Sequence, residues 1–139
     1  MLEQEHVLLI QRGQPPCEGQ WSVPGGVVEI GESPEEAIIR EVYEECAVKA
    51  HLLGILDVVN RIVRDDAGAV QYQYVIIEYL ACCRTTGPDQ KLPEIVVHAD
   101  TDVRAGRWVP LRELSEYDVI EGLIPIIQAG IRMRAALET

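Results

Sequence analysis

Residues Gly25–Val48 read GGVVEIGESPEEAIIREVYEECAV. The stretch holds seven glutamates and no lysine, and its one arginine, Arg40, directly precedes Glu41. Its second half carries the strongest local signals in the chain. Ser33 can cap a helix, Pro34 suits the first helical position, and Glu36 completes a capping box. Glu35 and Glu36 also favour the positive end of the helix dipole. A helix is therefore expected over Ser33–Cys46, and two of its acids already have a structural reason.

The remaining acids need the helical wheel. At roughly 100° per residue with Glu41 at zero, Glu45 falls at about 40° and Glu44 at about −60°. Ala37 lies between them, while Ile38, Ile39, Val42, Tyr43 and Cys46 fill an apolar arc. Three carboxylates thus share one narrow strip over a small residue. Like charges at such spacings cost about 0.2–0.5 kcal/mol per pair. Arg40 can offset part of this by pairing with Glu36 or Glu44, but it cannot neutralise three acids. A plain solvated acidic face is one reading. A site for a hard divalent cation is the other, because Mg²⁺ takes oxygen ligands and shares substrate phosphates. Upstream residues favour the cation. Gly25 and Gly26 let the backbone approach closely or turn a carbonyl toward a ligand, and Glu32 lies just before the cap.

Outward from this segment, strands outnumber helices. His6–Arg12 reads as a strand rich in branched residues, followed by a loop over Gly13–Gln20. Trp21–Val23 is short and extended, and Gly26–Ile30 reads as a further strand. Val48–Arg64 should hold one long or broken strand, Asp65–Gly68 a turn, and Ala69–Cys83 its partner. Gly87–Pro93 is a loop, and Arg104–Val109 a short strand closed by Pro110. Ile120, Ile124, Ile127, Ile131 and Ala135 form an apolar stripe on a helix starting around Gly122 or Leu123. Interleaved strands and helices argue for an α/β fold with a mixed sheet covered by helices.

With 139 residues, a single domain over 1–139 is expected. The net charge of −11 disfavours nucleic acid and anionic membranes as partners. It leaves room for a small anionic substrate where arginines or a metal reverse the local field. Asp57, Arg61 and Glu78 interrupt the longest apolar runs, so no membrane span is expected, and the N-terminal residues lack the pattern of a secretory signal. The four cysteines form no paired motif, which suggests free thiols in a reducing cytoplasm. His6, His51 and His98 are scattered and suggest neither a triad nor a zinc site.

The segment from Gly26 resembles the signature of the Nudix hydrolases. That signature runs glycine, five residues, glutamate, seven residues, arginine–glutamate–apolar, one residue, two glutamates, one residue, glycine–apolar. Here the positions are Gly26, Glu32, Arg40, Glu41, Val42, Glu44, Glu45, Ala47 and Val48. Ala47 stands where the family has glycine. That glycine ends the helix with positive φ, so Ala47 carries a cost of roughly 1 kcal/mol. LLIQR before the segment, WSVPGG leading into it, and RWVPLREL near the end also look like the family.

The resemblance implies a Nudix-type α/β/α sandwich and hydrolysis of a pyrophosphate bond in a nucleoside diphosphate linked to another group. ADP-ribose or a related nucleotide sugar comes first. A MutT-like nucleoside triphosphate pyrophosphohydrolase is the alternative, and an inactive nucleotide-binding module is the rival from another class. The match implies that Glu41, Glu44 and Glu45 ligate Mg²⁺ or Mn²⁺, assisted by the carbonyl of Gly25 or Gly26. It gives Glu32 a supporting role and has Arg40 orient Glu41. The family draws its general base from this segment or from a later acidic loop, where Glu94, Asp100 and Asp102 are candidates. Arg12, Arg61 and Arg64 are candidates for phosphate contact. Trp21, Tyr72, Tyr74 and Trp108 are candidates for stacking on a base. Family members usually carry an extra apolar stretch before the segment equivalent to His6–Arg12. With only MLEQE there, either the first strand is short or the start has been trimmed, and a homodimer partner is one way to cover the resulting edge.

Overall fold

The computed structural model describes residues 1–84 and 89–139. Gly87 and Pro88, at the start of the loop expected over Gly87–Pro93, lie outside the described residues. The elements run β1 (Leu2–Glu3), β2 (His6–Arg12), β3 (Trp21–Ser22), α1 (Pro34–Cys46), β4 (His51–Arg64), β5 (Val70–Cys82), β6 (Val103–Pro110), a 3₁₀ turn (Leu111–Glu116) and α2 (Leu123–Leu137).

β2 is the spine. It pairs antiparallel with β1, β3 and β6, its longest ladder running from His6 opposite Pro110 to Arg12 opposite Val103. Parallel pairing is confined, among the described residues, to a bridge between Trp21 and Val119. Successive β2 side chains point to opposite faces. Val7 and Leu9 join Leu2, Trp21, Leu80, Val109, Leu123 and Ile127 on the α2 side. Leu8 and Ile10 join Val42, Cys46, Val48 and Cys83 on the α1 side. Burial on both faces explains the unbroken VLLI run. The result is the expected α/β/α sandwich, with β4 and β5 forming a second, two-stranded antiparallel sheet.

Two expectations change. Gly26–Ile30 is not a strand. Its apolar residues face solvent, Ile30 wholly so. The carbonyl of Val27 accepts from Arg40, and Glu32 N–H bonds back to Glu29 O, closing a turn that no strand among the described residues pairs with. The apolar stripe of α2 is also displaced. Ile120 precedes the helix and Ala135 is exposed, while Leu123, Ile127 and Gly130 are buried. Gly130 lies there because a Cβ would press on Leu2, Leu56 and Leu80.

The cap of α1 forms as expected. Ser33 Oγ accepts from Glu36 N–H at 3.1 Å, and Glu36 Oε1 accepts from Ser33 N–H at 3.2 Å. At the other end Ala47 adopts φ 58°, ψ 29°, donating its N–H to Tyr43 O at 2.8 Å. A Cβ in this left-handed region costs roughly 1 kcal/mol. Ala47→Gly is therefore expected to raise the melting temperature by about 3 °C in a thermal scan. An unchanged or lower value would show that the added unfolded-state entropy of glycine outweighs the relieved strain.

Candidate active site

α1 lies against the sheet through Val42 and Cys46, which are buried with Leu8 and Ile10. Its apolar arc is narrower than the wheel suggested, since Ile39 and Tyr43 are exposed. Glu45 is buried at 8% exposure, although it belongs to the carboxylate strip. The chain leading into α1 explains this. It passes over the strip at the paired glycines, and Gly25 N–H donates to Glu45 Oε1 at 3.2 Å. A Cβ at Gly26 would overlap the Glu41 carboxylate. Gly26 thus leaves the space in which that carboxylate sits.

Burial pushes the Glu45 carboxyl up to about 7, which the Gly25 N–H and the charge of nearby Arg12 only partly oppose. Neighbouring Glu41 pushes the same way. An acid enclosed this far and served by one backbone N–H is short of positive charge. Arg40 takes the outer acids instead. Its guanidinium reaches Glu32 at 2.7 Å, Glu41 at 2.9 Å, Glu44 at 3.1 Å and Glu29 at 3.7 Å. It also donates to Val27 O at 3.1 Å, tying the turn before the helix to the helix itself. Its hydrogen bonds hold the Glu32 carboxyl below the usual range, and those acids raise the arginine further above its own.

Arg12 sits at the end of β2, with Nε donating to Pro16 O at 2.7 Å. Its charge reaches Glu45 across the site. Arg61 is exposed opposite Tyr74, and Arg64 closes the β4–β5 turn by donating to Gly68 O at 2.9 Å. Among the described residues neither bonds to α1. Trp21 is a core residue: its edge meets Tyr117 at 5.2 Å and its face carries Arg107 at 5.3 Å. Trp108 donates to Pro93 O at 2.9 Å and packs beside α1, so it too is occupied structurally.

The acidic loop does meet α1. Val96 N–H donates at 3.0 Å to Cys46 O, one of the carbonyls a helix end leaves free. Ile95 and Val97 lie over Gly106, where a Cβ would crowd both. A shallow cavity of about 490 Å³ results, lined by Tyr43, Glu44, His98, Asp100 and Thr101. Of the three base candidates, only Asp100 lines it. Glu94 is exposed elsewhere on the loop, and the backbone of Asp102 accepts from Gly13 N–H. Tyr43 and His98 went unnoticed in the sequence as site residues. Tyr43 precedes Glu44, a hint that its exposed ring borders the strip. For His98 no local signal exists, because only the fold brings it to α1.

Among the described residues, no three or more His, Cys, Asp or Glu side chains converge as a ready-made metal cage. The donors nonetheless suit a hard cation. They are carboxylate and carbonyl oxygens, one acid is buried and makes no ion pair among the described residues, and a glycine gap admits a second.

The model of the NUDIX domain matches residues 1–129. The chain belongs to the NUDIX family. Two solved NUDIX structures are similar over nearly its whole length. The MutT NUDIX hydrolase of Burkholderia pseudomallei is 26% identical with a TM-score of 0.70, covering 93% of this chain and 91% of that one. The NUDIX domain of Shewanella oneidensis NrtR, complexed with ADP ribose, is 25% identical with a TM-score of 0.71, covering 94% and 77%. Among sequence relatives, the ADP-ribose pyrophosphatase of Methanocaldococcus jannaschii is 35% identical over 63% of this chain and 52% of its own length. The mouse 8-oxo-dGDP phosphatase NUDT18 is 32% identical over 78% of this chain and 29% of its own. The chain thus spans about a quarter to a half of the curated relatives it matches. Among the described residues, no helix of this NUDIX chain is long and apolar enough to cross a membrane.

Because Gly26 makes room for Glu41, Gly26→Ala is expected to push that carboxylate aside. If Glu41 holds a cation, turnover should fall about 10–100-fold, the scale on which such supporting contacts act. The melting temperature should hardly change, since the displaced group is the free end of a flexible side chain. Paired kinetic and thermal measurements on the variant check both halves.

Proposed function

We propose that this chain hydrolyses a phosphoanhydride bond in a nucleoside diphosphate linked to another group, with ADP-ribose or a related nucleotide sugar as the first substrate class. The observation that carries this reading is the pairing of Gly25–Gly26 with Glu41 and Glu45. It sets Glu45, buried and without an ion pair among the described residues, beside the Glu41 carboxylate that Arg40 holds. Glu41, Glu44 and Glu45, with the carbonyl of Gly25 or Gly26, would hold Mg²⁺ or Mn²⁺. When bound, such a cation neutralises charge on phosphate oxygens and lowers the pKa of water.

The remaining roles belong to the chain. Arg40 holds Glu41 and Glu44 on one fork while anchoring Glu32 and the preceding turn. Arg12 offers a guanidinium for a phosphate oxygen. Asp100, which lines the cavity beside Glu44 together with His98, would take a proton from the attacking water. Water adds to one phosphorus, the bond between that phosphorus and the bridging oxygen breaks, the bridging oxygen leaves on the other phosphate, and ADP-ribose would yield AMP and ribose 5-phosphate. Relatives named for ADP-ribose and for oxidised guanine nucleotides support the pyrophosphohydrolase class and keep the MutT-like reading second.

The test is a substrate panel of ADP-ribose, nucleotide sugars, 8-oxo-dGTP and 8-oxo-dGDP at alkaline pH with Mg²⁺ or Mn²⁺. AMP formation from ADP-ribose, suppressed when Ca²⁺ replaces Mg²⁺, is expected. Preferred turnover of the oxidised nucleotides would favour the MutT-like reading. Tight ADP-ribose binding with no hydrolysis of any compound would favour the inactive module.

A further inference from the structure

The β4–β5 ribbon extends beyond the two cores, and its outer half is exposed on both faces. Residues Val70–Val75, VQYQYV, are all exposed and none is charged. Val70, Tyr72, Tyr74 and Val75 are each about half exposed or more. A two-stranded ribbon is marginal in water unless something packs on it or extends it. Its two edges differ. β4 carries Asp57, Arg61 and Arg64 along its outer half, and such charges discourage pairing, while its register skips at Leu53 and Leu56 lie in the inner half; β5 has one skip, at Gln71 near the outer end. β5 runs without a break from Tyr72 to Glu78, opposite Val63 to Asp57. Apart from the β4 ladder, no backbone hydrogen bond among the described residues involves Val70–Tyr79.

We propose that the free edge of β5 is an isologous dimerisation seam, with β5 of a second copy of this chain pairing antiparallel to it. The occupant follows from charge. On a chain of net charge −11, most faces of two copies repel, whereas Val70–Ile77 brings no charge to a self-pairing. With Tyr74 on the two-fold axis, Tyr72 of one copy lies opposite Ile76 of the other, and Glu78 falls beside the Val70–Gln71 bulge at the end of the seam. The cross-strand neighbour of Val70 is Arg64, so the charges at the ends of the seam are of opposite sign. Because the outer half of β4 is charged at Asp57, Arg61 and Arg64, the four-stranded sheet β4–β5–β5–β4 closes as a dimer and does not grow into a filament.

Sedimentation velocity on the full chain tests this. At micromolar concentration the wild type is expected at twice the 15.5 kDa chain mass. Val75→Lys places two ammonium groups beside the axis and should weaken dimerisation at least ~100-fold, a loss of about 2.7 kcal/mol. Gln73→Lys is a second seam variant should the first fold poorly. Val58→Lys, on the β4 strand away from the seam, should leave the dimer intact, and all three should keep the wild-type circular dichroism spectrum. A wild type that stays monomeric would overturn the proposal and leave the strip to a different protein. Seam variants as dimeric as wild type, or dissociation by Val58→Lys alone, would overturn it equally.

Discussion

Replacing Glu45 with glutamine is expected to lower turnover by at least ~10³-fold and to stabilise the metal-free protein at about pH 8. The first effect follows from the loss of a ligand charge, since a bound cation contributes several kcal/mol to phosphoryl transfer and about 1.4 kcal/mol is tenfold. The second follows from burial. The folded protein raises the Glu45 carboxyl to about 7 from 4.5. As pH climbs through that window, the unfolded chain ionises Glu45 first, so the metal-free fold loses stability and stays lower above about 7. Glutamine keeps the shape, can still accept from Gly25 N–H, and carries no charge to bury. Melting curves of both proteins with a chelator should coincide near pH 4.5 and separate by pH 8, the variant being the more stable. Activity that survives the substitution, or a variant less stable at alkaline pH, would remove Glu45 from the site.

Arg40→Lys is expected to reduce turnover about 10–100-fold and to weaken cation binding in parallel. Arginine serves several acceptors at once: Nε and Nη2 on Glu32, and Nη1 on Glu41 and Glu44. Lysine keeps the charge but is a single flexible point donor. It can serve Glu32 or Glu41 but cannot fix both in one geometry. Arg40→Met removes the charge too and should be worse. Kinetics together with cation titration separate this from simple unfolding, because the capping box and the Val42–Cys46 packing do not involve Arg40. If lysine is as good as arginine, the fork has no positioning role.

The parts legible in the sequence were those fixed by short spacing. The capping box needs only Ser33 and Glu36, and the carboxylate strip needs only the pitch of a helix. The alternation within β2 was visible as a run of branched residues. What escaped depends on contacts distant in sequence. Val27, Val28 and Ile30 look like a strand, but no strand among the described residues pairs with them, and Arg40 claims the Val27 carbonyl. Ile39 and Tyr43 fit an apolar arc, yet the sheet covers only the side of α1 that holds Val42 and Cys46. The burial of Glu45 was hidden because it arises from the glycine pair crossing the strip. The placing of Asp100 and His98 near Glu44 was hidden as well. It rests on one backbone bond from Val96 to the end of α1 and on a gap at Gly106.

The central claim is that Glu41, Glu44 and Glu45 jointly hold a divalent cation beside the paired glycines. Titration of Mn²⁺ into the chelator-treated protein, read by electron paramagnetic resonance, tests it most directly. The account predicts saturable binding by the wild type, weakened at least ~100-fold in Glu41→Gln and in Glu45→Gln. Equal binding by wild type and both variants, or none by the wild type even with ADP-ribose present, would contradict it.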